Sequence, residues 1–358
     1  MEKHILNNRT ILLINLLTCS LFPTGTAIAQ STLGIITLPQ TGQMPDTKSM
    51  VTYGADGSFG AGVAWAASSN GMLITPEQRF TVGTGAEAGC ITDNLTGLQW
   101  LQDPSHIPIN GVIQGSSVSY PKALVTIDNM NKLGTFCGHG DWRIPSVNEM
   151  RSLINYNVKG GPLKWLNTVG FKNINSTFIW TSSVKVANSS EPGGPGGYNW
   201  TINGFTGGTH YSNAQPNGSN ILYPVRTASI LAPAMVAQTG GDEGSIGVPI
   251  PANRFVKDSS GDCMVDTLTG LIWVRDMKKI PTGRDGMSRL YTWPNAIATV
   301  SNMNKERLCG FRDWRMPNIN EMSSLLNTSQ GNLGTWLNNQ GFNILTPGYF
   351  YTYFWTST

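Results

Sequence analysis

The chain repeats itself. Residues 92–100 (TDNLTGLQW) match 265–273 (VDTLTGLIW) at an offset of 173, and residues 141–155 (DWRIPSVNEMRSLIN) match 313–327 (DWRMPNINEMSSLLN) at 172, with ten of those fifteen positions identical. NMNK at 129–132 recurs at 302–305, Trp165-Leu166-Asn167 as Trp336-Leu337-Asn338, Gly170-Phe171 as Gly341-Phe342, and IWTSS (179–183) as FWTST (354–358). The period far exceeds the roughly 20–50 residues of a solenoid unit, so each copy should own a core. After IWTSS the first copy runs on through YNWTINGF, GGTHY and ILYPVR to Arg226, whereas the sequence stops at Thr358, at the matching point of the second. The expectation is an incomplete second copy: either the sequence is a fragment or the second domain is truncated, and the fragment is favoured because losing that much of a β-rich core would expose unpaired strand edges.

The organisation that follows is 1–29 signal peptide, 30–78 Gly-rich lead-in, 79–226 first domain, 227–253 linker and lead-in, and 254–358 second domain. The leader has Lys3 and Arg9 ahead of the apolar run Ile11–Leu17, and Ala27-Ile28-Ala29 sets small residues at −3 and −1. The run is too short to span about 30 Å of hydrocarbon. An exported chain, extracellular, cell-surface or periplasmic and not membrane-spanning, is therefore expected. Thr18 before Cys19 speaks against a lipoprotein.

Four cysteines remain outside the leader, and they allow three pairings. Cys90 and Cys137 are 47 apart, and Cys263 and Cys309 are 46 apart at equivalent repeat positions. The pairing that respects the duplication is Cys90–Cys137 and Cys263–Cys309, suited to an oxidising compartment.

Each copy should open with a Trp-containing strand, Gly97–Leu101 and Gly270–Val274. A helix follows behind the N-caps Ser119 and Thr292, with Ala123, Leu124, Ile127 and Met130 repeated as Ala296, Ile297, Val300 and Met303. A second helix starts at Ser146-x-x-Glu149 and Asn318-x-x-Glu321, both with capping-box spacing, and buries Met150, Leu153 and Ile154. Short strands rich in Trp, Tyr and Thr come after it. The fold class is α+β in two tandem domains, each with two helices and a β-rich second half.

Charged residues are only 13% of the chain, and residues 30–230 and 231–358 each carry 11 basic and 10 acidic side chains. No region has the cationic density that phosphate-driven nucleic-acid binding requires. HExxH, GxSxG and P-loop motifs are missing, and His139 is replaced by Phe311 in the second copy, which argues against hydrolase chemistry. Asp258, Asp262 and Asp266 offer carboxylates suited to Ca²⁺, but the first copy keeps only Asp93 there, which favours a turn. Ca²⁺ is the one cofactor kept in view. Asp141-Trp142-Arg143 and Asp313-Trp314-Arg315 read as structure: Trp in the core beside the disulfide, Arg stacked on it or paired with Asp or with Glu149, and with Glu321 in the second copy.

Taken together, TDNLTGLQW, NMNK, CGHGDWRIPSVNEMRSLI, FIWTSS and YPVR resemble the Lcl C-terminal domain family, found at the end of a collagen-like bacterial adhesin. The order WR-x-P, capped helix, W-[ST]-S, terminal VR strand is also similar, more distantly, to the C-type-lectin-like fold shared with formylglycine-generating enzymes. The resemblance implies adhesion through sulfated or other polysaccharides, without the adhesin's collagen-like stalk. Gln215-Pro216-Asn217 is similar to the calcium-dependent sugar motif of C-type lectins, but the Trp-Asn-Asp partner is missing. A formylglycine-type enzyme needs a reactive cysteine pair late in the domain, where this chain has none.

The expected function is an exported, non-catalytic bacterial surface or secreted binding protein that recognises a polysaccharide or cell-surface glycan. The alternatives are a structural envelope or appendage protein, or a formylglycine-generating-type enzyme. The ligand contact is expected in the loop after the second copy's first strand, where Arg275, Lys278, Lys279, Arg284 and Arg289 fall within fifteen residues. The equivalent stretch from Leu101 to Tyr120 has no Lys or Arg, so the fold does not require these charges.

Overall fold

The computed structural model describes residues 36, 38, 79–109, 112–113, 117–156, 158, 160–175, 177–186, 197–214, 219–232, 234–240, 247–280, 292–344 and 356. The leader, most of the first lead-in, Gln215-Pro216-Asn217, Arg284 and Arg289 lie outside them.

The first copy opens with β1 (Phe80–Val82), β2 (Cys90–Asp93) and β3 (Leu98–Leu101), continues through the short hairpin β4 (Pro108–Ile109) and β5 (Val112–Ile113), and then β6 (Ser117–Val118). Helices α1 (Tyr120–Leu133) and α2 (Val147–Ser152) follow, then β7 (Phe178–Lys185), β8 (Tyr198–Asn203), β9 (Thr209–Asn213), β10 (Asn220–Ile221) and β11 (Val225–Thr227). Two sheets result, a four-stranded one in the order β1-β2-β3-β11 and a five-stranded one in the order β6-β10-β7-β8-β9. The last strand returns to the first hairpin, with Val225 opposite Trp100 and Arg226 opposite Gln99. The second copy repeats the opening meander as β12 (Phe255–Lys257), β13 (Cys263–Asp266) and β14 (Ile272–Val274), then α3 (Trp293–Glu306), α4 (Ile319–Ser324) and α5 (Leu333–Asn339).

Local chemistry explains the elements. Ser146 accepts the Glu149 N–H while Glu149 accepts the Ser146 N–H, and Asn318 and Glu321 repeat this reciprocal cap on α4. Helix α1 has Pro in its first turn and ends on left-handed Gly134 (φ 62°). Ser119 and Thr292 occupy the N-cap positions of α1 and α3, although neither side chain bonds the helix. The four expected apolar positions of α1 divide: Ala123, Ile127 and Met130 are buried, while Leu124 faces solvent at 51% exposure.

Two apolar clusters build the first copy. One packs α2 and Trp165 against β1–β3 and the inward residues of β7 and β8; the other packs α1 and Trp142 against Trp180 and the disulfide. In the first, the rings of Phe80 and Phe171 meet edge-on at 5.1 Å with Trp165 5.6 Å from Phe80. Phe255, Phe342 and Trp336 reproduce this triad in the second copy. That explains why Trp-Leu-Asn and Gly-Phe repeat together.

Candidate functional site

Both cysteine pairs are bonded as the duplication suggests, Cys90 to Cys137 and Cys263 to Cys309. Around each bond the repeated motifs lock together. Asn131 of NMNK donates to the Trp142 carbonyl and accepts the Trp142 N–H, both at 2.8 Å, and Asn304 grips Trp314 in the same way. The Trp142 indole N–H reaches the Phe136 carbonyl. Arg143 forks onto both oxygens of Glu149 at 2.7 and 2.6 Å, and Arg315 forks onto Glu321. The guanidinium therefore holds the carboxylate that caps the next helix, so Asp-Trp-Arg is a structural weld in each copy. Asp141 instead pairs with Arg226 of the closing strand at 2.6 Å.

The Thr-Ser-Ser motif has a related task. Thr181 donates to the Trp200 carbonyl, and the Ser183 hydroxyl accepts the first amide of α2 at 3.0 Å. Trp180 fills the second core cluster.

One pair of residues escaped the sequence reading. Arg79 and Asp93 form a bidentate ion pair at 2.8 and 2.6 Å with both side chains fully buried. Arg254 and Asp266 repeat it. Each Asp also accepts the backbone amide two residues on and the hydroxyl three residues on, Leu95 and Thr96, or Leu268 and Thr269. The Asp-x-Leu-Thr-Gly motif is thus an Asx turn whose charge is neutralised by the arginine just ahead of the first strand of each copy. The available signal was Arg-Phe at 79–80 and 254–255, one step before equivalent strands.

This settles where the acidic trio goes. Asp266 is held by Arg254. Asp258 accepts the Ser260 hydroxyl and the Cys263 amide, and Asp262 lies 3.4 Å from Lys279. Among the described residues, Asp258 also groups with Cys263 and Cys309, but those sulfurs are spent on their disulfide.

The cationic loop divides in the same manner. Arg275 is committed to backbone, its guanidinium donating to the Gly261 and Gly341 carbonyls. Lys279 faces Asp262, and Lys278 is exposed beside it on a short 3-10 turn capped by Asp276. Burial would raise the Asp276 carboxyl, but the Lys278 amide, Asn343 and the neighbouring cations hold it below its ordinary value.

A second surface gathers on β7–β9. Trp200 lies opposite Tyr211 across β8 and β9, and Lys185 lies opposite Tyr198 across β7 and β8. The Tyr198 and Tyr211 rings meet edge-on at 5.4 Å, with Trp200 6.2 Å from Tyr211. The Lys185 ammonium sits 4.0 Å above Tyr211. Tyr211 is 46% exposed, and Phe205 in the β8–β9 turn is 56% exposed. Asn203 builds that turn by accepting the amides of Phe205 and Thr206. Strand propensity alone predicted aromatics here; their gathering into a ridge depends on cross-strand register.

Among the described residues no helix is long and apolar enough to cross a membrane. No curated protein matches the chain. The family model described as Lcl C-terminal domain matches residues 89–226 and again 262–358, the two halves of the repeat. The chain belongs to the Lcl C-terminal domain family.

Proposed function

We propose that this is an exported, non-catalytic bacterial surface or secreted protein that recognises glycan. The aromatic ridge Tyr198, Trp200 and Tyr211 carries the reading. Tyr211 presents an exposed ring edge-on to the half-buried Tyr198 and Trp200, the latter rooted in the core, and an exposed aromatic held in this way offers an apolar contact for a sugar face. Lys278 and Lys279, with Arg284 and Arg289, add the positive charge that would attract a sulfated or uronic polysaccharide through weak, screened contacts. The return of β11 onto β3 supports a C-type-lectin-like reading of the first copy. The disulfides support the non-catalytic reading, because the four cysteines outside the leader are all bonded, leaving none as a reactive thiol for formylglycine-type chemistry.

A glycan array with full-length protein, run with and without EDTA, tests this. Capture should survive EDTA and fall at least tenfold in Tyr211→Ala. Changing Lys278, Lys279, Arg284 and Arg289 to Ser should abolish salt-sensitive retention on heparin; Arg275 is left intact because it braces two carbonyls. An array that captures nothing, or a Tyr211→Ala protein that binds as well as wild type, would put the structural envelope reading in its place.

A further inference from the structure

Helix α2 of the first copy and helix α4 of the second line one open recess, bordered also by Ala234–Ala237 of the linker and by Ile36 and Leu38 of the lead-in. The recess is open to solvent and has a volume of about 60 Å³. Asn148, Arg151 and Ser152 line it from one copy; Asn320, Ser323 and Ser324, their counterparts at an offset of 172, line it from the other.

Among the described residues, the single charge on these walls is Arg151. It is only 9% exposed. Its guanidinium donates to the Asn148 side-chain oxygen at 3.3 Å and to the Thr209 hydroxyl at 2.7 Å, both neutral acceptors. Among the described residues it makes no ion pair with a carboxylate, whereas the other buried arginines, Arg79 and Arg254, each fork onto an aspartate. Burial pulls the Arg151 pKa below its usual value, as a guanidinium without a counter-charge should show.

The duplication supplies a comparison within the molecule. Helix α4 has the same capping box and the same Arg–Glu brace as α2, yet carries Ser323 where α2 carries Arg151. Neither the helix nor its brace therefore requires an arginine at this position. A buried charge lacking an opposite partner is costly, and an entering anion would remove that cost.

We propose that this recess between the copies is a binding site for a small carboxylate that bears an apolar body. One guanidinium surrounded by neutral amides and hydroxyls matches a single negative charge rather than a dianion. Its planar fork fits carboxylate geometry. The remaining walls, Ile36, Leu38, Ala234, Val236 and Ala237, suit an apolar remainder. This site is separate from the aromatic ridge, and its failure would leave the glycan reading intact.

Isothermal titration of the full-length protein with sodium benzoate at fixed ionic strength tests the proposal, with acetate, sulfate and phosphate as comparison arms. Benzoate should bind saturably and more tightly than acetate. Affinity should fall at least tenfold in Arg151→Ser, which copies the second repeat. Ser323→Glu, which places a resident carboxylate on the opposite wall, should also block benzoate and raise the Tm; it carries the test should Arg151→Ser not fold. Absence of saturable benzoate binding to wild type, binding of sulfate or phosphate in its place, or unaltered benzoate affinity in Ser323→Glu would overturn it.

Discussion

At the scale of single residues, the molecule is held by charges that are buried and matched. Asp93 accepts from Arg79, Leu95 and Thr96 at once, with no access to solvent. Asp93→Asn keeps the shape and removes the charge, leaving the Arg79 guanidinium buried without its counter-ion. The expected cost is about 3–5 kcal/mol, read as a lowered midpoint in chemical denaturation. Asp266→Asn should act alike in the second copy, because Arg254 stands in the same relation to it. An unchanged midpoint in either variant would show that these pairs do not stabilise the fold. Asp93 was legible in the sequence as a turn residue, since Asp-x-Leu-Thr-Gly repeats. Its partner was not, because an arginine followed by phenylalanine carries no mark of burial until the strands are paired.

At the scale of elements, the disulfides and the capped helices were the legible parts. Both rest on short, regular spacings: cysteines matched across the repeat, and a Ser or Asn three residues ahead of Glu. Cys90–Cys137 closes a separation of 47 residues between β2 and the loop after α1. In the chain-entropy picture a closure of that length contributes about 4 kcal/mol. Cys90→Ser with Cys137→Ser should lower the unfolding free energy of the oxidised protein by a comparable amount, measured under non-reducing conditions. A loss below about 1 kcal/mol would mean the unfolded chain is already confined there. The exposure of Leu124 and the ridge on β7–β9 were less legible. Helical periodicity identifies an apolar stripe but not its edge, and Tyr211 is set opposite Trp200 only by the register of β9 on β8. The expected cationic loop looked uniform in sequence, yet Arg275 differs from Lys278 because two carbonyls distant in the chain, Gly261 and Gly341, converge on it.

At the scale of the whole molecule, one buried hydroxyl joins the copies. Thr239 lies 3.2 Å from the Ser183 hydroxyl of the first copy and 3.1 Å from the Thr328 hydroxyl of the second, and its carbonyl accepts the Thr328 amide. Thr239→Val removes the shared group, while the Thr328 hydroxyl keeps the Thr239 carbonyl and the Ser183 hydroxyl keeps the Val147 amide, so the expected loss is about 0.5–1.5 kcal/mol. The Tm should fall by several degrees and protease should cut within 227–253 faster than in wild type; if neither changes, the copies are not coupled there. Because the same helix surface of both repeats faces the recess, the contact has the character of a self-complementary interface between two identical subunits. Fusion into one chain changes what such an interface can become. Separate subunits must present one sequence to both sides, so an arginine on one wall would confront its own copy on the other. Joined in tandem, the halves diverge independently, and a tether of this length keeps them at an effective concentration of about millimolar whatever the contact is worth. The duplicated protein can therefore hold an asymmetric chamber, arginine on one side and serine on the other, that a symmetric dimer of either half would be unable to build.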